Sequence, residues 1–199
     1  MKMAKKFLAV ALAGVLALSV LTGCANGVKS KDVADSLTKM GIKVEQSKDV
    51  DKTAKNTLTA IEAIVDASAK DSSVTAENKI TLDNAVVAAD GKVIKTTNIT
   101  DTTNKVQKAL GVFANGSDAE KANVGKQIRV ALVEIKNAKK DASLQAALVK
   151  DALVEAQAAT VANTTTHKVA ETGKLGTATT KDGKYILVVI VNDVVAKNA

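Results

Sequence analysis

The run from Tyr185 to Val195, YILVVIVNDVV, constrains the fold of this chain more than any other segment. Val and Ile dominate it, and branching at Cβ favours extended backbone over helix. Its apolar residues are consecutive, so both faces of the strand must be covered. Such a strand belongs in the middle of a sheet, and charged Asp193 and Lys197 mark its exit. Gly176-Thr177-Ala178-Thr179-Thr180 leads into it through Lys181-Asp182-Gly183-Lys184, an Asp-Gly turn of the kind that joins hairpin strands. A second strand pair is expected across Ile80 to Ile99, folded at Asp90-Gly91. The pieces Ala89–Ile94 and Lys181–Ile186 share an Asp-Gly-Lys pattern. Independent use of one turn chemistry accounts for this; an ancient duplication is the alternative.

Helical spacing accounts for much of the rest. Val33, Leu37 and Met40 predict a short helix over Lys31 to Met40, ended by Gly41, with a short strand at Ile42 to Glu45. Val50, Ala54, Leu58, Ile61, Val65 and Ser68 form one stripe of a helix from Asp49 to Lys70. A short helix is expected from Asp101 to Leu110. Val124, Ile128, Ala131, Leu132, Ile135 and Ala138 predict a helix from Asp118 to Lys139. Ala142, Ala146, Val149, Leu153, Ala156 and Thr160 predict another from Asp141 or Ala142 to Thr160. The short junction between these two allows an antiparallel pair or one long kinked helix.

The expected fold class is α+β: an antiparallel sheet of about four strands, from residues 80–99 and 174–195, packed against several amphipathic helices. A mostly helical fold with one hairpin sheet is the alternative. The chain has no proline and no tryptophan, and its aromatics are Phe7, Phe113 and Tyr185. Its core must therefore be built from Val, Ile, Leu and Ala.

The amino-terminal residues bear on location. Lys2, Lys5 and Lys6 precede an apolar run, Phe7 to Val20, shorter than the roughly 20 residues that span a bilayer. A basic segment before a short apolar one is the layout of an export signal. Leu21-Thr22-Gly23-Cys24 then resembles the lipobox of bacterial membrane lipoproteins. The resemblance implies a diacylglyceryl group on the Cys24 thiol, cleavage between Gly23 and Cys24, and frequent acylation of the new amino terminus, palmitate among the chains. Two lipid signals are what stable anchoring requires. The implied organisation is a signal peptide at 1–23, a flexible tether at 24–30 and a single extracytoplasmic domain at 31–199. The implied location is the outer face of the cell membrane. In a cell with two membranes it is the periplasm or the outer membrane, because Ala25 is not the aspartate that usually retains lipoproteins on the inner one.

Cys24 is the only cysteine, so the domain has no internal disulfide. Removing residues 1–23 takes three of the 28 basic residues and none of the 21 acidic ones, leaving a net charge of +4. A mild positive excess suits an anionic lipid surface or wall polymer, although a mixed surface is the plainer reading. Nucleic-acid binding is not expected: Arg129 is the sole arginine, and aromatics for stacking are few.

No catalytic residue stands out. His167 is the only histidine, and no cluster with metal-ligand spacing is visible. Gly125-Lys126 is followed by Gln127, so it is not a phosphate loop. His167, beside Thr164-Thr165-Thr166, reads as a surface residue before a strand. The one speculative ligand pocket would be lined by His167, Tyr185 and that threonine-rich loop.

Two resemblances concern the domain. The Asp-Gly-Lys pieces are similar to hairpins of small bacterial lipoproteins and FMN-binding modules. Covalent flavin there uses a Ser-Gly-Ala-Thr-type motif, from which Leu175-Gly176-Thr177-Ala178-Thr179 departs, so no cofactor is expected. The tail from His167 to Asn192 resembles the last segment of the CAP (SCP/PR1-like) fold, whose cavity usually holds two histidines and two glutamates. The function expected is a non-catalytic binding or structural module of the envelope, with another protein, wall polymer or a small ligand as partner. A degenerate small-ligand-binding domain, FMN-binding-like or CAP-like, is the alternative.

Overall fold

The computed structural model describes residues 28–87, 93–94, 105–112, 123, 125–160 and 166–197. In chain order these form α1 (Ser30–Lys39), β1 (Val44–Gln46), α2 (Lys48–Lys70), a 3-10 turn (Ala76–Asn78), α3 (Lys105–Ala109), β2 (Gln127–Glu134), α4 (Ala142–Ala152), β3 (Val154–Gln157), β4 (His167–Val169), β5 (Gly173–Thr179), β6 (Tyr185–Asn192) and β7 (Val194–Ala196).

The main sheet has five strands in the order β1-β5-β6-β2-β3, and β4 pairs with β7 in a small second sheet. The fold is mixed α and β, as expected, but the main sheet is not simply antiparallel, because β1 runs parallel to β5 with Val44 opposite Gly173. The reason is α1: it returns the chain across the sheet face, so β1 arrives alongside β5 pointing the same way.

Strand β6 is central and buried from Ile186 to Asn192. Leu187, Val189 and Val191 face one helical layer, where they meet Val50, Ala54, Leu58 and Ile61 of α2. Ile186, Val188 and Ile190 face the other, with Val33, Ala34 and Leu37 of α1 and Ala146 and Val149 of α4. Helices on both faces of the sheet are why this strand carries no polar alternation. The strand ends at Asn192; Asp193 interrupts it, and Val194–Ala196 turns away to pair with β4.

The hairpin before β6 forms as expected. Gly183 has φ +66°. Asp182 Oδ1 accepts from Thr180 Oγ1 (2.7 Å) and from the Lys184 N–H (3.0 Å), which ties the turn to its own side chain. The helices at 30–39 and 48–70 also lie where their apolar stripes place them.

Three expectations are corrected. The helix expected over 118–139 is, where described, strand β2 over Gln127–Glu134, paired with β6 along its whole length from Gln127↔Asn192 to Glu134↔Tyr185. Ile128, Val130 and Leu132 belong to the core on the α2 side of the sheet while Ala131, Val133 and Ile135 belong to the core on the α1/α4 side, so period two holds beside the helical spacing. A strand apolar on both faces needs a partner on each edge, and β2 supplies one. The helix expected to reach Thr160 stops at Ala152: Leu153 is extended (φ −62°, ψ 125°), and Val154–Gln157 joins β2 as β3. The strand expected from Ile80 is a series of turns as far as it is described. Ser68 Oγ accepts the Ile80 N–H (2.8 Å) and Asn84 Oδ1 accepts the Thr81 N–H (2.8 Å), so side chains take donors that a ladder would use. The turn expected at Asp90-Gly91, residues 101–104 of the next expected helix and the amino-terminal segment through Gly27 lie outside the described residues.

Val28 is 4% exposed and belongs to the α1/α4 core, and Ser30, 6% exposed, shares a hydrogen bond with Thr177 (2.7 Å). The last residues of the expected tether are thus part of the folded body.

Candidate functional site

The two ends of β6 differ in chemistry. At the Asn192 end, on the α1/α4 face, a polar row crosses four strands: Gly173 of β5, Asn192 of β6, Gln127 and Arg129 of β2, and Glu155 of β3. Asn192 is 3% exposed and donates from Nδ2 to the Ala170 carbonyl (2.9 Å). Its Oδ1 accepts from Arg129 Nη2 at 3.3 Å. Glycine is required beside it, because a Cβ on Gly173 would lie 2.8 Å from both Asn192 Oδ1 and Ile190 Cγ2.

Arg129 is half-buried, and its Nε is enclosed without a hydrogen-bond partner among the described residues. Glu155, its cross-strand neighbour, accepts instead from Gln127 Nε2 (2.7 Å). Burial pushes the guanidinium down from its usual pKa, and the Glu155 charge opposes that shift. A guanidinium has five donors in a fixed fork suited to carboxylate or phosphate. One long hydrogen bond leaves most of that capacity to a bound anionic group. At the rim, Asp193 bridges Lys126 and Lys174, each at 3.0 Å, and these two cations hold its carboxyl below the usual range.

In the sequence Arg129 stands out only as the sole arginine, with no motif around it. The available signal was its place inside the apolar run Ile128 to Val133, where a charge on a buried strand needs a reason.

His167 and Tyr185 are not brought together. His167 opens β4, is exposed, and shares a hydrogen bond between Nδ1 and Thr166 Oγ1 (2.8 Å). It pairs across to Ala196, beyond the Asn192 end of β6, while Tyr185 begins β6. The length of β6, about 24 Å, lies between these positions. Thr164 and Thr165 lie outside the described residues. The Tyr185 hydroxyl donates to Asp83 Oδ1 (2.8 Å), and with burial and the carboxylate's charge this pushes its pKa up to about 12. Ionisation would put two negative charges in contact. The raised value contributes stability below the unfolded tyrosine pKa of about 10, and that contribution is lost as pH rises through the folded value. Tyr185 is the only tyrosine and there is no tryptophan, so phenolate absorbance reads it alone. We expect a titration midpoint near 12 in the folded chain, returning toward about 10 in Asp83→Asn; equal midpoints would refute the Asp83 contact.

No group of three His, Cys, Asp or Glu converges as a metal site among the described residues. A groove of about 520 Å³ between α2 and α3 is lined by Lys52, Thr53, Asn56, Gly111 and Asn123. No described helix is long and apolar enough to cross a membrane.

Comparison with family models, curated proteins and solved structures finds no match to the chain.

Proposed function

We propose that this chain is a membrane lipoprotein, held by lipid on Cys24 at the extracytoplasmic face, whose domain is a non-catalytic binding module of the cell envelope. The observation that carries this reading is the junction of motif and fold. Leu21-Thr22-Gly23-Cys24 ends four residues before Val28, a buried residue of the α1/α4 core. Cleavage before Cys24 would thus leave the described body whole.

The polar row around Arg129 supplies the contact for an anionic group on the partner. It lies toward the Asn192 end of β6, and α1 begins over the middle of that strand, with Ser30 against Thr177, the partner of Val188. A second reading, a small-ligand-binding domain, would use the open α2/α3 groove lined by Lys52, Thr53, Asn56 and Asn123.

Intact mass of the protein extracted from its native membrane tests the proposal. The expected species begins at Cys24 and carries acyl mass, and Cys24→Ser is expected to remove that mass and leave residues 1–23 in place. A wild-type chain without lipid would overturn the anchor. A small molecule retained under native conditions would favour the second reading, and Arg129→Gln would show whether it sits in the polar row.

A further inference from the structure

We infer that the anchored end of the domain is a membrane-adhesion surface for anionic lipid, an inference that rests on the lipoprotein reading for its geometry. From Cys24 to Val28 the chain advances four residues, which span at most about 14 Å. A domain tethered that closely must bring one particular end to the bilayer.

The topology identifies that end. Helix α1 starts beside Thr177 and finishes at Met40, whose carbonyl accepts from Lys150 Nζ at 3.2 Å, late in α4. The two helices therefore run parallel, and the first turn of α4 lies at the same end as Val28. Ser143 and Leu144 there donate to the capping Asp141 carboxylate at 2.9 and 3.0 Å. The β2–α4 turn and the β5–β6 hairpin also close at this end: the Ile135 N–H donates to the Lys184 carbonyl (2.6 Å), and Lys139 Nζ reaches the Asp182 carbonyl (3.5 Å). Buried Gln145 donates to the Ala138 carbonyl (2.9 Å) and holds the basic turn against α4.

This end has the composition of a bilayer contact. Lys29, Lys136, Lys140 and Lys181 are exposed and make no ion pair with any described residue. The acids nearby are Asp32, Asp35, Glu134, Asp141 and Asp182, with Glu62 and Asp66 of α2 close to the β5–β6 hairpin, where Glu62 acts on Lys181, and Asp83 at the Tyr185 hydroxyl. Asp35 is paired with Lys31 and Asp182 with Lys184, while Asp141 caps α4. Beside the lysines, Leu144 and Leu148 stand on the outer face of α4 at 51% and 42% exposure, two of the three exposed large apolar residues described. Apolar side chains flanked by lysine, within reach of a lipid anchor, match an interfacial contact: leucine enters the headgroup boundary and lysine meets the lipid charge.

The full chain is reconstituted in vesicles of phosphatidylcholine alone or with phosphatidylglycerol. Its lysines are then acetylated with a water-soluble reagent and read by mass spectrometry. On the anionic vesicles, modification of Lys29, Lys136, Lys140 and Lys181 should fall about fivefold or more, the effect of one lysine at an anionic surface. Lys43 and Lys168, at the other end, should be unchanged. The protection should vanish in 1 M salt, where the screening length is about 3 Å, and weaken in Leu144→Asp. Equal modification at both ends, or protection that ignores lipid charge, overturns the surface. The intact mass separately reports lipid on Cys24, so loss of the anchor and loss of the surface are distinguishable.

Discussion

Gly176→Ala is expected to destabilise the chain by upward of about 3 kcal/mol, or to prevent folding. An added Cβ would lie 2.1 Å from the Val50 carbonyl carbon, 2.2 Å from the Asp51 nitrogen and 2.2 Å from the Val50 oxygen. All three are backbone atoms of the first turn of α2, so no rotamer change relieves the contact. The close approach has a purpose. Strand β1 ends at Gln46, opposite Leu175, so the Thr177 N–H lies beyond its ladder. Asp51 Oδ1 accepts that N–H at 2.9 Å, which requires the α2 turn to rest on the strand. Pushing α2 away would break this bond and open the core on that face. A urea melt of the variant is the check. A midpoint close to wild type would mean that α2 does not seat on Gly176.

Ile190→Ala should cost about 3 kcal/mol, within the range for large-to-small changes at buried sites. Ile190 is fully buried in the α1/α4 layer, and its neighbour across the strand pair, Leu175, is equally enclosed. Helices on one side and sheet on both edges leave the site little freedom to collapse. For a domain of this size the loss corresponds to a fall in Tm of roughly 6–12 °C. Val87→Ala, at a position 41% exposed, serves as the control and should stay within about 0.5 kcal/mol. Similar shifts in the two variants would contradict the two-layer core.

The central strand was legible because its composition admits one solution. Eight residues from Tyr185 to Asn192 offer no polar face, so they must lie inside a covered sheet. Helix α2 was legible for a related reason: 23 residues with one apolar stripe suit no strand. Strand β2 was not, because its apolar positions satisfy period 3.6 and period 2 together. Its pairing with β6 decides between them, and that partner lies more than fifty residues away in sequence. The direction of β1 was hidden too: Val44–Gln46 is too short to encode a neighbour, and α1 and Gly173 set its alignment.

The candidate site divides in the same way. Cys24 declares itself locally, since alkylation and cleavage act on an extended segment read residue by residue. The Arg129 row does not, because Gly173, Asn192, Arg129 and Glu155 come from four strands and acquire meaning only in register. By itself the sequence determined the elements whose demands are local: a β-branched run, one amphipathic stripe, an Asp-Gly turn and a motif around one cysteine. Tertiary structure decided what depends on distant partners: β2 as strand, β1 as parallel, α2 against Gly176, and the enclosure of one guanidinium. Local chain entropy and side-chain shape fix the first kind, whereas burial and hydrogen-bond completion fix the second, and those are properties of the assembled core.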